Sequence, residues 1–432
     1  MPAQLPPDRP TFRQAFRFWL KLGFVSFGGP AGQIALLHEE VVVRRGWVEE
    51  QQFLHALNYC MLLPGPEAQQ LATYTGWLLH RTRGALVAGG LFVLPSALIL
   101  WGLSLAYVHL GRFESVGGIL RGLKAAVLAL VVAALLRIGK KALRTPAHWI
   151  FATLSFAALA SGSIPYPVVV FGAMAAGLAI GRWRPAWIPP AGPGPRAAAP
   201  PRGEAADPPG LRRFITVATL GLLLWWGPVL ALGAWLGWTH TLAREGMFFG
   251  KAATVTFGGA YAVLPYVARH AVEVQGWLSP GEMMDGLAFA ETTPGPLIMV
   301  LQFVGFLGGW HHPGELPPLL AATLGAAITT WATFAPSFLW ILLGAPHLES
   351  WRRLGPLNTA LSAVTAVVVG VILHLAVWLG LKGIAAEPGM ARGWMALLAL
   401  GVFLATARWK WPVAAVVLAS GLAGWALTRT LG

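Results

Sequence analysis

A segment of about fifty residues occurs twice in this chain, at residues 18–66 and again at residues 248–296. The landmarks of the first copy are Ser26-Phe27-Gly28-Gly29-Pro30, then Trp47, then Pro64-Gly65-Pro66. Those of the second are Thr256-Phe257-Gly258-Gly259-Ala260, then Trp277, then Pro294-Gly295-Pro296. Every landmark returns 230 residues later, and so does a lysine, at Lys21 and Lys251. An ungapped match of this length indicates an internal duplication, which constrains the fold to two related halves.

The chain as a whole is too apolar for a soluble protein. Of its 432 residues, 56% are hydrophobic and 11% are charged, whereas soluble domains contain about 25% charged residues. Most apolar runs reach or approach the ~17–25 residues that a helix needs to cross a bilayer. They lie at residues 84–110, 116–136, 147–162, 164–181, 214–237, 318–344, 356–380, 393–407 and 411–428. The composition therefore predicts an all-α polytopic membrane protein.

The net charge of +14 is explained more simply by membrane topology than by nucleic-acid binding, because Lys and Arg collect in cytoplasmic loops. We therefore expect membrane lipid, and no nucleic acid, among the partners, with a homodimer as one possible assembly. The single cysteine, Cys60, excludes internal disulfides and cysteine-based metal clusters. The chain also lacks a Gly-x-x-x-x-Gly-Lys-Ser/Thr loop, a His-Glu-x-x-His motif and an aspartate-rich motif. These features predict no enzyme activity, no cofactor and no metal site.

Glycine and proline interrupt both apolar units of the duplicated segment. Residues 12–43 are interrupted at Gly28-Gly29-Pro30, and residues 49–80 at Pro64-Gly65-Pro66. In a helix interior glycine costs about 1 kcal/mol and proline about 3 kcal/mol, so each helix should stop and restart. Pro30 suits the first position of a new helix, where its missing N–H is not needed. Together with four further spans, the first repeat is predicted to cross the membrane about six times.

The predicted domain order is a first repeat at residues 1–187, a Pro/Gly-rich cytoplasmic linker at 188–210, a linking helix at 211–240 and a second repeat at 241–432. The linking helix has no counterpart in the first repeat. Its one additional crossing should turn the second repeat upside down, giving an inverted-topology pair with about 13 crossings. In agreement, the loop of Arg81 and Arg83 corresponds to Trp310-His311-His312-Pro313, which contains neither Lys nor Arg. We expect a bacterial inner-membrane, multi-pass protein with a cytoplasmic N-terminus.

The four helix breaks are the best candidates for a binding site. Broken helices in inverted repeats form the substrate sites of many secondary transporters, because each restart exposes unpaired N–H groups and about half a positive charge. Inversion would point the four breaks toward one another and create an anion site. The alternative is that the glycines only permit tight helix packing. The predicted substrate-binding residues at the breaks are Ser26, Phe27, Gly28, Gly29, Pro30, Pro64, Gly65, Pro66, Gln69, Thr256, Phe257, Gly258, Gly259, Pro294, Gly295 and Pro296.

Several charged residues near the breaks have two interpretations each. Lys21 and Lys251 either neutralise a bound anion or extend to the nearest headgroups. Glu67 and Glu291, beside the two Pro-Gly-Pro breaks, either carry a proton during transport or, for Glu67 above all, cap a helix. The basic residues that end the first unit of each repeat either form an anion entry or anchor a helix end at the interface; they are Arg44, Arg45 and Arg269.

The motifs resemble the chromate ion transporter family, in its long two-domain form. The resemblance rests on Ser26-Phe27-Gly28-Gly29-Pro30, Trp47, Leu63-Pro64-Gly65-Pro66 and Tyr74-Thr75-Gly76, and on the second copies of the first three. Two departures are Ala260 in place of Pro30, and Gln69 or Gln70 where the family is expected to have asparagine after Pro-Gly-Pro. The second repeat has Met299 and Val300 at the latter position.

The resemblance implies a secondary transporter that exports chromate across the inner membrane and confers resistance to it, with sulfate as a competitor. An inside-negative potential favours outward movement of a dianion, at about 2.3 kcal/mol per charge per 100 mV. Three alternatives stay open: a transporter of sulfate or another oxyanion, a membrane-embedded enzyme acting on lipid phosphates, and a passive anion channel. The enzyme would require a paired acid or metal constellation, which the motifs do not contain.

Overall fold

The structure is a computed structural model that describes residues 10–27, 29–111, 113–184, 187–189, 210–345 and 355–431. Two sequence-based predictions fall outside these residues, namely Gly28 and most of the linker, at 190–209. Sixteen α-helices are found in the described residues, together with short π- and 3₁₀-helical segments. The helices are α1 (Phe12–Val25), α2 (Gly29–His38), α3 (Glu50–Leu62), α4 (Glu67–Leu110), α5 (Glu114–Ala142), α6 (Pro146–Ala160), α7 (Tyr166–Trp183), α8 (Leu211–Leu236), α9 (Thr241–Thr254), α10 (Ala260–Ala268), α11 (Pro280–Thr292), α12 (Val300–His311), α13 (Pro318–Gly344), α14 (Gly355–Leu379), α15 (Gly389–Ala407) and α16 (Val413–Leu431).

Each predicted helix break is present, and at each one the chain folds back on itself. Across the break between α9 and α10, Phe248 packs against Tyr266 with 5.1 Å between ring centroids. Eighteen residues of continuous helix would separate these rings by about 27 Å. Across the break between α11 and α12, Phe289 packs against Phe303 at 5.7 Å. The first repeat has equivalent contacts, such as Phe18 with Trp47 at 5.1 Å. The duplicated segments are therefore helical hairpins whose tips are the Gly- and Pro-rich motifs.

The duplication extends to the geometry at the base of the hairpins. A π-helical segment follows α2 at Glu39–Arg44 and α10 at Arg269–Val274. In both repeats the backbone N–H of a tryptophan then donates to a backbone carbonyl of that segment. The pairs are Trp47 with Val41 and Trp277 with Ala271, each at 2.8 Å. Identical hydrogen bonds at equivalent positions show that the two segments share one conformation.

The prediction of about 13 crossings is not confirmed. In the described residues, eight helices are long and apolar enough to span a membrane: residues 67–110, 116–142, 166–183, 211–236, 318–344, 358–384, 389–407 and 413–430. Helix α6 is a shorter apolar helix. The four broken units form helical hairpins, and most of their helices are shorter than these spans. The long helix α4 also reverses direction, at His80 and Arg81, whose backbone angles are not helical. The loop expected near residues 81–83 is therefore this reversal.

The two halves interlock around the central helices α5 and α14. Helix α5, from the first half, packs against α15 and α16 of the second half. In return, α14 of the second half packs against α6 and α7 of the first. The linking helix α8 lies against α9 and α13. Because the terminal helices of each half are exchanged in this way, the hairpin tips of both halves are brought to a common centre.

Candidate substrate site at the hairpin tips

The hairpin tips of the two repeats are joined by a reciprocal pair of backbone hydrogen bonds. The N–H of Gly65, in the first Pro-Gly-Pro motif, donates to the carbonyl of Thr256 at 2.7 Å. The N–H of Gly295, in the second Pro-Gly-Pro motif, donates to the carbonyl of Ser26 at 2.8 Å. Each Pro-Gly-Pro tip therefore bonds to the Phe-Gly-Gly tip of the opposite repeat. The four predicted breaks are therefore joined in two pairs.

A glutamine that the sequence analysis did not select strengthens one of these junctions. The Nε2 group of Gln33, on α2, donates to the carbonyl of Gly295 at 2.6 Å and to that of Ser26 at 3.2 Å. Its side chain is buried, and its Oε1 forms no hydrogen bond with a described residue. The equivalent position in the second repeat is the apolar Val263. The junction at Ser26 is therefore bridged by a side chain, and the junction at Thr256 has no equivalent glutamine.

Two serines that the sequence analysis missed lie against the Pro-Gly-Pro tips. A Cβ atom added to Gly65 would lie 2.8 Å from the Oγ of Ser337, and one added to Gly295 would lie 2.8 Å from the Oγ of Ser96. Each serine belongs to the repeat opposite to the glycine it approaches. Both serines are fully buried, and neither Oγ forms a hydrogen bond with a described residue. Buried hydroxyl groups without partners are rare in folded proteins, so these two groups are candidates for ligand binding.

A sequence signal for these serines exists. Each follows a proline, as Pro95-Ser96 in α4 and Pro336-Ser337 in α13. The second pair comes 241 residues after the first, because the loop between α12 and α13 lengthens the second repeat. The Pro-Ser pair is therefore not among the landmarks that recur at 230 residues.

Further buried side chains near the tips have oxygen atoms that form no hydrogen bond with a described residue. Gln69 and Gln70 are fully buried, and the Oε1 atoms of both form no hydrogen bond with a described residue. The Nε2 of Gln70 donates to the carbonyl of Pro64 at 2.8 Å, and that of Gln69 to the Oγ1 of Thr73 at 3.1 Å. Thr293, just before the second Pro-Gly-Pro motif, has a buried and unpartnered Oγ1. The centre is therefore polar although apolar helices surround it.

The hydroxyl groups of Ser26 and Thr256, two of the predicted substrate-binding residues, form hydrogen bonds within their own helices. Each donates to the carbonyl four residues earlier. Ser26 donates to Leu22 at 2.6 Å and Thr256 to Ala252 at 2.7 Å. Serine and threonine often satisfy their hydroxyl protons in this way inside apolar helices. What these residues contribute to the centre is the backbone carbonyl that holds the opposite tip.

Backbone donors remain at the helix starts beside the tips. The first N–H groups of a helix have no acceptor within that helix, and here α2, α4 and α10 all begin at a tip. Gly29, Gly258 and Gly259 have positive φ angles of 68°, 80° and 90°, which glycine adopts without strain. Phe27 is exposed, whereas Phe257 is buried. The N-terminal turns near the tips can therefore offer N–H groups to an anion.

The predicted cationic residues lie outside this centre. Lys21 and Lys251 are both exposed, on the opposite face of α1 and α9 from the buried residues. Arg44 pairs with Glu39 and Glu40 at 3.1 Å each, at the base of the first hairpin. Neither the two lysines nor Arg44 therefore belongs to the buried polar groups at the tips.

The other two basic residues are also engaged in contacts. Arg45 pairs with Glu40 at 3.4 Å and stacks on Phe18 and Trp47. Arg269 pairs with Glu273 at 3.8 Å and donates to the carbonyl of Gly162 at 2.6 Å. These contacts are those of helix-end anchors; a part in anion entry stays a prediction.

The two acids at the Pro-Gly-Pro breaks also differ from one another. Glu67 is the first residue of α4, directly after Pro66, where a carboxylate interacts favourably with the helix dipole. Glu291 lies one turn before its break and accepts a hydrogen bond from the hydroxyl of Tyr261. Both are half-buried. No group of three His, Cys, Asp or Glu side chains suited to a metal occurs in the part of the chain that the structure describes.

Comparisons with known proteins agree with the duplicated hairpin motifs. The family model of chromate transporters matches residues 13–178 and 245–425. A chromate transport protein of Pseudomonas aeruginosa is 30% identical to the chain, over 98% of the chain and 93% of the relative. One of Cupriavidus metallidurans is 28% identical, over 88% of the chain and 85% of the relative. No solved structure matches significantly. The family model covers both halves and all four hairpin tips, and the chain therefore belongs to the chromate transporter family.

Proposed function

We propose that this protein is a secondary transporter that moves chromate across the membrane, with the anion bound between the hairpin tips. The family and the names of its relatives support chromate as the substrate. The observation that carries the site is the reciprocal bonding of the tips, Gly65 to Thr256 and Gly295 to Ser26. It gives one polar centre to which both repeats contribute equivalent groups.

We propose further that the two repeats have inverted topology. Equivalent hydrogen bonds made in both directions are what an approximate two-fold axis between the repeats would produce. Whether the second repeat is turned upside down depends only on whether the number of crossings before it is even or odd. A hairpin enters and leaves on one side, so each repeat keeps an even number of crossings, and α8 adds one. Inversion would allow the two repeats to exchange roles during the transport cycle.

The chemistry of the centre suits a tetrahedral oxyanion. Hydroxyl groups of Ser96 and Ser337 and the free N–H groups of the helix starts supply donors without a fixed positive charge. Chromate and sulfate are dianions of the same shape, so such a centre would distinguish them weakly, and we propose sulfate as a competitor.

For the direction, we propose export across the inner membrane, with chromate resistance as its consequence. At about 2.3 kcal/mol per charge per 100 mV, an inside-negative potential drives a dianion outward with roughly twice that free energy. Export therefore needs no ATP-binding domain, and the chain contains no phosphate-binding loop of that type.

The test is the flux of labelled chromate in everted membrane vesicles, with the membrane potential and the pH gradient set independently. We expect accumulation that follows the potential and falls when excess sulfate is added. Vesicles with a Gly65→Val variant, inserted to the same level, are the matched control and should show only background uptake. Background uptake by the wild-type protein, in vesicles shown to contain folded protein, would refute chromate transport.

A further inference from the structure

A carboxyl group that has no assigned role is buried inside the second half of the molecule. Glu245, on α9, is fully buried, and both of its carboxyl oxygens lack a hydrogen-bond partner among the described residues. The side chain occupies a slot lined by glycines of two other helices. A Cβ atom on Gly308 of α12 would collide with its Oε1, and one on Gly325 of α13 would lie 2.9 Å from its Oε2. The glycines leave the space that this carboxyl group fills.

No cationic side chain balances Glu245 within this slot. Helix α13 has no ionisable residue, and α12 has only His311, at its last position. His311 is directed to the carbonyl of Trp277 and to Glu282 of α11. The ionisable residues of α8 are Arg212 and Arg213, in its first turn.

The charged residues of α9 itself, and the histidine that caps it, are also directed elsewhere. Arg244 donates to Gln275, Lys251 is exposed, and the N-cap His240 contacts the carbonyl of Pro313. A carboxylate without a cationic or hydrogen-bonding partner is strongly disfavoured in a fully buried site, so the neutral, protonated form fits the slot.

A line of hydroxyl groups leads from this slot to the hairpin tips. Along α13 the residues Gly325, Thr329, Thr333 and Ser337 are spaced four apart, so neighbouring members lie close together on a stripe that turns by about 120° around the helix. All three hydroxyl-bearing residues are buried, and the hydroxyl of Thr333 donates to the carbonyl of Thr329 at 2.7 Å. Thr329 lies against Gly305 and its Oγ1 has no partner among the described residues, as is also true of Ser337. The line covers twelve residues, or about 18 Å, in steps of about 6 Å that a water molecule can bridge.

The first half has the same framework without these polar groups. In α4 the glycine and the serine have the same spacing, Gly84 to Ser96, as Gly325 to Ser337 in α13. The two positions between them are Ala88 and Phe92. The residue equivalent to Glu245 is Ala15. The carboxyl group and its hydroxyl line are therefore specific to the second half, so the shared hairpin architecture does not require them.

We propose that Glu245 is a proton-binding site of the transport cycle, connected to the anion centre by Thr329, Thr333 and Ser337. The proposal rests on the proposed function and extends it to the coupling ion. Glu245 holds a proton in the packed arrangement described here. It releases the proton when α9 moves relative to α12 and α13 and the slot opens. One proton binds and leaves per cycle, and the pH gradient thereby contributes to anion movement.

The first experiment measures labelled chromate flux in everted vesicles with the potential clamped at zero and a pH gradient imposed. We expect Glu245→Gln to lose the flux driven by the pH gradient and to retain the flux driven by a potential alone, which also shows that the variant is folded. Thr329→Val, which removes only the hydroxyl group, should slow the flux driven by the pH gradient. Glu273→Gln, a change to an exposed carboxylate paired with Arg269, is the matched control and should behave as wild type.

The second experiment does not depend on chromate. Infrared spectra of the purified protein at neutral pH should contain the carbonyl band of a buried protonated carboxylic acid, and Glu245→Gln should remove that band. Absence of chromate flux in the wild-type protein would refute the proposed function. The infrared band would still show whether the carboxyl group of Glu245 is protonated. A wild-type response of Glu245→Gln to the pH gradient, or an infrared spectrum unchanged by that substitution, would overturn the proton site.

Discussion

The two Phe-Gly-Gly hairpins have related sequences but different surroundings. In α10 eight of the nine residues are buried, whereas in α2 only Gln33 and Leu37 of ten are. Helix α10 packs against the central helix α14, and α11 packs against α5. Within the described chain, the equivalent pairs α2 with α5 and α3 with α14 make no more than marginal contact. One hairpin pair is thus closed against the core, and its counterpart is open.

This difference is informative because the two segments share the same local conformation. Both have the π-helical segment and the tryptophan hydrogen bond at its end, so the difference in burial is not accompanied by a difference in the local backbone. If the repeats are inverted, as proposed above, alternating access predicts such a difference, because each repeat then adopts in turn the conformation of its partner. The predictions below test whether the two halves are equivalent, beginning with the largest expected effect.

Replacing Gly295 with alanine should abolish transport and destabilise the protein. Gly295 has a φ of +103°, and a Cβ atom would lie 2.5 Å from the Cβ of Ser96. Backbone strain of this kind costs about 1–3 kcal/mol, and the clash would separate the tips. Gly259→Ala is the control, since its φ is +90° but its Cβ would meet nothing within 4 Å. Transport and thermal unfolding in detergent measure both effects. Wild-type transport by Gly295→Ala would contradict tight packing of the tips.

The sequence predicted the breaks because their cause is local. Consecutive glycine and proline residues disfavour a helix through their own backbone properties, and Gly65 and Gly295 do adopt positive φ angles. The sequence could not show that the chain folds back at each break, since a hairpin and an interrupted crossing need the same residues. For this reason the sequence alone does not determine the number of crossings.

The residues of the candidate site were predicted only in part, because several of them lie far from the repeated motifs in sequence. Ser96, Ser337 and Gln33 reach the centre from helices that the motifs do not include, and Glu245 reaches its slot through packing between three helices. Such contacts depend on tertiary structure. Only the repeated Pro-Ser pair, at Pro95-Ser96 and Pro336-Ser337, left a signal in the sequence, at an offset different from that of the other landmarks.

The serines provide the next test of equivalence. If both hydroxyl groups bind the anion, Ser96→Ala and Ser337→Ala should each weaken chromate affinity by about 1.5–3 kcal/mol, the usual range for a hydrogen bond to a charged group. Only Ser337→Ala should also reduce the response to a pH gradient, because only Ser337 ends the hydroxyl line of α13. Concentration dependence of uptake, with and without the gradient, separates the two effects. Identical behaviour of both variants in the gradient would show that the halves are equivalent here.

Chemical labelling can measure the difference in packing directly. In a Cys60→Ala background, a cysteine at the half-buried Ile34 of α2 should react with a water-soluble maleimide several times faster than one at the fully buried Leu264 of α10. These positions are equivalent in the two repeats. Saturating chromate should bring the two rates closer together, since it allows the halves to exchange conformations. Equal rates without substrate would mean that the asymmetry is absent in the membrane.

The smallest effects are expected at the basic residues that end the hairpins. Arg44 is exposed and pairs with Glu39 and Glu40, and exposed ion pairs contribute about 0–1 kcal/mol. Arg44→Gln should therefore change neither stability nor transport appreciably at physiological salt. Arg269→Gln should cost more, because Arg269 also donates to the carbonyl of Gly162 and so holds the closed hairpin to the loop between α6 and α7. Thermal unfolding and the KM for chromate distinguish anchoring from anion entry. A rise in KM for Arg44→Gln that disappears at high salt would identify it as an entry residue, since screening weakens long-range attraction of an anion.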